Sequence, residues 1–392
     1  MQFRGLTVGV PREILAGERR VAAVPDTVKR MVEAGAKVVV ETTAGSRAYY
    51  ADEQYVAAGA EIAPGAAETY GRADVLLKVK EPVHNEALGQ HEVELLKPGS
   101  TLICFLHPAN RKNLKMVNML AERDIVSFTL DSVPRISTAQ RMDALTSMST
   151  VAGYKASISA AYHLSRFVPM VPTAFGMIKP AEFLIVGAGV AGLQSIAVAK
   201  RLGAKVKSID VRPEANEQAK SLGAEVLPFE VPFELALGEG GYAKRLPEEW
   251  YQKEREILAP YVAAADAVIL TALVPGEVAP ILVDEAMVRA MKPGSVIMDI
   301  AIDQGGNCSV TRYGEEYVHE NVLISGIMNT PATLAVDSTF MFAQNIYFFL
   351  THVVADGEVR HGTDDQIIRE SLVTRAGEIV HHGTLESIRT GS

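Results

Sequence analysis

Glu182-Phe-Leu-Ile-Val186-Gly187-Ala-Gly189-Val190-Ala-Gly192-Leu193 is the stretch that decides the fold. An unbroken apolar run, short enough for a buried strand, leads directly into three glycines, after which Leu193, Ile196 and Ala197 share a helical face. Strand, glycine turn and helix in that order open a dinucleotide-binding unit. The first glycine makes the turn, the second lets backbone approach a pyrophosphate, and the third lets helix and strand pack closely; the helix N-terminus then receives the negative charge. Gly203 closes the helix, and the next strand-like run, Lys205 to Ile209, stops at Asp210, eighteen residues beyond Gly192. A carboxylate there accepts both hydroxyls of an adenosine ribose and repels a 2′-phosphate, which favours NAD(H) over NADP(H). Arg212 is the opposing feature, and it is read as covering the adenine or pairing with an acid.

Working outward, further apolar runs follow at Glu225-Val-Leu227, Ala267-Val-Ile-Leu270, Ser295-Val-Ile-Met298 and Val322-Leu-Ile324. An earlier series has the same rhythm: Leu6 to Val10, Lys37 to Val40, Val75 to Val79, Thr101 to Phe105 and Ile125 to Thr129, with helical candidates at Asp26 to Gly35 and Arg111 to Arg123. Alternation of this kind predicts an α/β fold of two Rossmann-like domains, with parallel sheets and crossover helices. A long apolar helix from Ala335 to about Val354, then short strand-like pieces ending near Val380, is expected to return to the first domain and make it discontinuous. The expected limits are 1–137 with 328–392 for that domain and 145–325 for the NAD(H)-binding one. Residues 228–263 separate two strands of the second series and carry Gly238-Glu-Gly-Gly241-Tyr242; they are read as a lid that brings Tyr242 to the cofactor.

The 392 residues suffice for two cores, and 48% hydrophobic with 22% charged residues is a globular composition. A net charge of −9 with scattered basic residues argues against a nucleic-acid partner. Cys104 and Cys308 have no metal-ligand or disulfide spacing, so no metal is expected and both are read as buried thiols. No secretory signal is visible, which points to the cytoplasm. The apolar stretches Phe183 to Ala199 and Thr339 to Thr351 are too interrupted or too short to span a bilayer.

Between the two series runs Asp131-Ser-Val-Pro134-Arg135-Ile136-Ser137-Thr-Ala-Gln140-Arg141-Met142-Asp143, followed by Ser147-Met-Ser-Thr-Val-Ala-Gly153-Tyr154. This combination resembles the NAD(H)-binding alpha subunits of proton-translocating NAD(P) transhydrogenases. The likeness runs from Val10-Pro-Arg-Glu13 through Val190-Ala-Gly-Leu193 and Gly240-Gly-Tyr-Ala-Lys244 to Arg375-Ala-Gly-Glu-Ile379. It implies that Arg135 and Asp143 pair and hold the nicotinamide, while Gln140 reaches toward an NADP(H) carried by a partner. Cofactor contacts are expected at Ile136, Ser137, Arg141, Met142, Gly187, Gly189, Val190, Gly192, Asp210, Val211, Arg212, Gly241, Tyr242 and Leu273. Independently of any resemblance, hydride passing between two nicotinamide rings forms no alkoxide or imine, so ring placement suffices and no general acid is needed. The resemblance also implies a homodimer, a membrane-spanning subunit that moves the protons and an NADP(H)-binding beta subunit. Those partners would hold this chain at the cytoplasmic face of the inner membrane, without its own insertion.

Alanine dehydrogenase, of the same superfamily, is the rival resemblance. Arg20 in Arg20-Val-Ala, Lys80 in Lys78-Val-Lys80-Glu-Pro82, His107 in Phe105-Leu-His107-Pro and Asp303 in Ala301-Ile-Asp303-Gln-Gly-Gly306 match its substrate-binding and catalytic positions. Amino-acid oxidation needs a proton acceptor, and His107 with Asp303 is a chemically adequate pair. The Arg135 to Asp143 loop weighs against this reading.

Overall fold

A computed structural model describes residues 1–236, 244–274 and 278–390. The expected cofactor residues Gly241 and Tyr242 lie outside the described residues, and so does the Gly238 to Gly241 stretch. The chain forms two compact units, 1–148 with 332–392, and 149–331.

In the first unit β1 (Thr7–Val10) pairs in parallel with β2 (Lys37–Glu41) and β4 (Val75–Leu77); β3 (Glu61–Ala63), β5 (Thr101–Cys104) and β6 (Val126–Thr129) extend the sheet in the same sense. Helix α1 (Pro25–Glu33) starts with proline at its first turn, and the Val24 N–H donates to the Thr27 hydroxyl oxygen, which satisfies one otherwise orphaned donor. Helix α2 (Leu114–Glu122) buries Met116, Val117 and Leu120. It starts later than the sequence suggests, because Asn110 accepts the Lys112 N–H and holds 111–113 as a separate 3₁₀ turn. The strand β3 and its flanking short helices gave no sequence signal; they are too short for periodicity to register.

The second unit holds β7 (Glu182–Val186), β8 (Lys205–Ile209), β9 (Glu225–Val226), β10 (Ala267–Leu270), β11 (Val296–Asp299), β12 (Glu316–His319) and β13 (Val322–Ser325), in the order β9-β8-β7-β10-β11-β13-β12. All pairs are parallel except the edge strand β12, which the sequence reading missed. Successive residues of β7 and β10 face opposite ways. Leu184, Val186, Val268 and Leu270 meet one core, while Phe183, Ile185, Ala267 and Ile269 meet the other. Burial on both faces is why these strands read as continuous apolar runs.

Two expectations need correction. Residues 147–154, which read as part of the loop between the series, belong to α3 (Ala144–His163). This helix touches α4 (Val190–Arg201) through small residues: Ser195 Oγ donates to the Gly153 carbonyl, Ser157 Oγ donates to the Ser195 carbonyl, and a Cβ on Gly153 would lie 2.1 Å from the Ala191 oxygen. A contact made by Gly and Ser leaves no apolar stripe to read. Nor is 228–263 mainly a loop, because α6 (Glu248–Ala264) occupies much of it, and Phe229, Val231, Leu246, Tyr251, Leu258 and Val262 belong to the core. Those apolar residues crowd one sheet face, which forces the segment to lie against it.

The tail begins with α7 (Ala335–Val353) and then adds β14 (Leu372–Arg375) antiparallel to β6, with β15 (Glu378–Ile379) outside it. The first sheet therefore runs β15-β14-β6-β5-β4-β1-β2-β3. Among the described residues no helix is long and apolar enough to cross a membrane.

Both sheets reverse direction of strand addition next to their first strand, at β1/β4 and β7/β10, the places where doubly wound sheets bind ligands. In the first unit that crevice is filled. Lys78 Nζ lies 3.0 Å from Glu13 Oε2 and 3.3 Å from Glu92 Oε1, and the Tyr70 hydroxyl donates to Glu92 at 2.6 Å. All four side chains are buried. Burial alone would lower the Lys78 pKa, but the two carboxylates hold it well above the ordinary lysine value. In the second unit the crevice is lined by glycine backbone.

That backbone leaves no room for side chains. A Cβ on Gly192 would lie 1.9 Å from the Gly187 carbonyl oxygen, whereas one on Gly71, in the short helix Ala66–Arg72, would meet nothing within 4 Å. We expect Gly192→Ala to cost about 1–3 kcal/mol, as overpacking does, and Gly71→Ala to be neutral or to stabilise by up to about 1 kcal/mol. Denaturant titration checks both; equal effects would mean that the close approach at Gly192 carries no energetic weight.

Candidate nucleotide-binding site

Gly187 has φ +90°, a left-handed conformation that favours glycine, and a Cβ there would collide with Thr271 Oγ1 at 2.7 Å. Gly192 brings α4 against the turn, as above. Gly189 is different: the nearest atom to a Cβ on it would be Arg212 Nη2 at 3.6 Å, so the space over this peptide is open to a ligand. Three glycines therefore do three separate jobs, and Val190 begins the helix whose N-terminus faces that space.

Asp210 is buried at the end of β8. Its Oδ2 accepts the Ala188 N–H at 2.7 Å and Arg212 Nη2 at 2.9 Å; its Oδ1 accepts the Arg212 N–H at 2.8 Å and Nε at 2.9 Å. A carboxylate offers about four acceptor positions, and all are taken. The acid that Arg212 pairs with is thus the ribose-binding carboxylate itself, and the hydrogen bonds raise the pKa of Arg212. Nucleotide fits this site once the arginine fork lifts. Val211, half-buried, separates the pair, and Leu273 stands partly exposed beyond β10.

A further group of residues shapes the turn and escaped the sequence reading. Thr271 Oγ1 donates to the Gly187 carbonyl at 2.9 Å. Asn307, fully buried, accepts the Ala272 N–H and donates to the Ala272 and Pro280 carbonyls, so the chain after β10 is clamped. Asp299 in turn accepts the Asn307 and Cys308 N–H groups. The only sequence signal was the Gly305-Gly306 pair, both at positive φ, which lets 302–308 fold back on Asp299.

The loop 135–143 belongs to the first unit. It follows buried Val133 and Pro134 and forms a 3₁₀ turn over Ser137–Met142. Ala139 is fully buried; Arg135, Ser137, Gln140 and Arg141 are exposed or nearly so, while Ile136 and Met142 are half-buried. Asp143 caps α3, accepting the Thr146 N–H at 2.8 Å and the Thr146 hydroxyl at 2.6 Å. The Arg141 guanidinium lies 3.6 Å from the centre of the Phe348 ring.

Of the rival residues, Arg20 is buried with its fork closed on Glu18, Nε to Oε1 at 2.8 Å and Nη2 to Oε2 at 2.6 Å. Lys80 is half-buried and Asp303 exposed. His107 Nδ1 lies 2.7 Å from Asp131 Oδ1. Burial opposes the charged imidazole, but Asp131 raises the His107 pKa; against its own burial, Asp131 is drawn down to about 2, chiefly by His107.

The chain matches the family model of the alanine dehydrogenase/PNT N-terminal domain over residues 9–152 and that of the C-terminal domain over 156–382. It belongs to the alanine dehydrogenase/transhydrogenase family. Members bind NAD(H) on a Rossmann-like fold and are oxidoreductases, and this chain shares that fold. It is 42% identical over 379 residues to the first of the polypeptides that make up NAD(P) transhydrogenase subunit alpha in Rhodospirillum rubrum, covering 96% of this chain and 98% of that protein. It is 30% identical over 390 residues to an alanine dehydrogenase of Methanococcus maripaludis, covering 97% and 96%. The solved structure of transhydrogenase from Sinorhizobium meliloti superposes with a TM-score of 0.83 at 36% identity, over 95% of this chain and all of that one.

Glu254 on α6 is buried, and burial, reinforced by the Asp210 charge, pushes its carboxyl up to about 8. The unfolded chain releases this proton near the ordinary 4.5, the folded one only near 8. The stabilising contribution is therefore complete below about pH 4.5 and declines as pH rises through about 8. Glu254→Gln should flatten the fall of Tm between pH 5 and 9 seen in the native protein; parallel Tm curves would show that Glu254 titrates normally.

Proposed function

We propose that this chain is the NAD(H)-binding subunit of a proton-translocating transhydrogenase, transferring hydride directly between NADH and an NADP held by a partner subunit. The observation that carries this reading is the 42% identity over nearly the whole chain to a transhydrogenase alpha subunit, against 30% to an alanine dehydrogenase. The glycine turn at Gly187, Gly189 and Gly192 would hold the pyrophosphate, and Asp210 would take the ribose after Arg212 withdraws. When bound, NADH supplies the hydride from its dihydronicotinamide ring. Arg135, Gln140 and Asp143 would position the two rings, with Ile136, Ser137 and Met142 alongside. No residue needs to move a proton, since ring-to-ring transfer requires only placement.

Partners complete the reading. A membrane-spanning subunit and an NADP(H)-binding beta subunit would couple transfer to proton movement and hold this chain at the cytoplasmic face of the inner membrane. A homodimer fits the hairpin of Val171–Thr173 and Gly176–Ile178, around which Phe175 is fully exposed and Phe167, Met170 and Met177 are each more than half exposed. A second copy would cover that apolar patch.

The second reading, NAD-dependent alanine dehydrogenase, is favoured by the His107–Asp131 pair, an imidazole oriented as a base would be. It is disfavoured by Arg20, whose buried fork is already closed on Glu18 and does not face outward for a substrate carboxylate.

Two outcomes test the proposal. Mixed with the NADP(H)-binding partner, the chain should pass hydride from NADPH to an NAD analogue; Gln140→Asn should slow this by roughly tenfold or more while leaving the NADH Kd nearly unchanged. Oxidation of L-alanine by the chain alone, without transfer in the mixture, would instead establish the dehydrogenase. Separately, Asp210→Ser should weaken NADH binding by roughly tenfold or more and free Arg212 to receive a 2′-phosphate, raising NADPH affinity. Adding Arg212→Ala should abolish that gain in a fluorescence titration.

A further inference from the structure

We infer that Asn345 and Phe348, on the returning helix α7, are positioning residues that fix the loop bearing Gln140 in place for hydride transfer; the inference rests on the transhydrogenase reading. Three anchors surround position 140. Ala139 is fully buried beneath the loop. Asn345 Nδ2 donates to the Arg141 carbonyl at 2.9 Å. The Phe348 ring lies under the Arg141 guanidinium at 3.6 Å, and its α7 neighbour Tyr347 receives Arg30 of α1 at 4.2 Å. Arg30 is itself held by Gln344 at 2.5 Å and Asp26 at 3.1 Å. Cations and rings thus alternate from α1 across α7 to the loop. Gln140 sits between two anchored neighbours, Ala139 and Arg141, at the position from which it would act.

These anchors matter because a 3₁₀ turn such as Ser137–Met142 has poor hydrogen-bond geometry and does not hold its own shape. Asn345 also carries a cost. It is buried, and its Oδ1 has no hydrogen-bond partner, a condition that typically destabilises by about 1–3 kcal/mol. A leucine of similar shape would avoid that cost, so what the amide contributes is the bond to the loop. Arg141, expected to touch the cofactor, instead serves here as the loop's handle on α7. Transfer between two rings is sensitive to misplacement, about a hundredfold for 1 Å, so loosening the anchor should act on rate and not on NADH affinity.

Asn345→Leu should reduce the transfer rate with the NADP(H)-binding partner roughly ten- to a hundredfold, keep the NADH Kd nearly unchanged, and speed hydrogen exchange across 137–143. Phe348→Leu, at a half-buried position where folding is not at risk, should act in the same direction by several-fold. Native transfer rates in both variants, alongside a slowed Gln140→Asn, would overturn the inference and leave the transhydrogenase reading intact. A parallel loss of NADH affinity would also overturn it, by marking a general structural role. Native rates in all three variants would remove the loop from the reaction and take the functional reading of the loop with them.

Discussion

Helix α4 meets the end of β7 so closely that the Gly187 carbonyl fills the space where a side chain at 192 would begin. Nearly everything in the second unit follows from that contact. It sets the sharpness of the turn and directs the first N–H groups of α4 toward the crevice beside β10. Gly153 repeats the constraint one layer out, letting α3 lie against the start of α4. Thr271 and Asn307 then tie the neighbouring strand end to the same turn. The site is thus made of backbone held in place by small or fully buried residues, and its rigidity comes from packing.

The two units apply one topology to different ends. Each sheet offers a crevice where strand order reverses, but at β1/β4 the Lys78, Glu13, Glu92 and Tyr70 cluster closes it with ion pairs and hydrogen bonds. Such a buried group is weak evidence for stability, since desolvation offsets much of the attraction. Its effect is occupancy: a crevice filled by charged side chains cannot admit a dinucleotide. At β7/β10 the lining is peptide, and charge is confined to Asp210 and Arg212 at the rim.

The sequence was most legible where chemistry restricts residue choice. A pyrophosphate-binding turn tolerates little besides glycine, so Gly187, Gly189 and Gly192 announced strand, turn and helix together, and Asp210 followed from the ribose. Legibility failed where contacts are made by small residues or across long chain separations. Helix α3 reads as loop because Gly153 and Ser157 provide its contact. The stretch after β9 resembles a lid because its core residues are interspersed with glycine, proline and charge. Lys80 sits in the recognisable motif, yet its neighbour Lys78 is the one buried in the crevice. No local pattern could link Asn345 to Arg141, since the bond spans 204 positions. The antiparallel edge strand β12 was missed for a related reason, being half-exposed and short.

Strand β14 is stitched to β6 through Thr374, whose hydroxyl pairs with Ser127 at 2.6 Å and donates to the Ile125 carbonyl at 2.7 Å in a buried position. During synthesis the ribosome delivers β6 long before β14, and at about 5–20 residues per second the delay is on the order of tens of seconds. Throughout that interval the edge of the nascent sheet stands open, while residues 149–331 are already free to fold. An open strand edge is a template for stray pairing. The order of assembly is therefore reversed relative to the order of translation: the middle of the chain matures first, and the amino-terminal half stays exposed to misassociation until the last residues emerge.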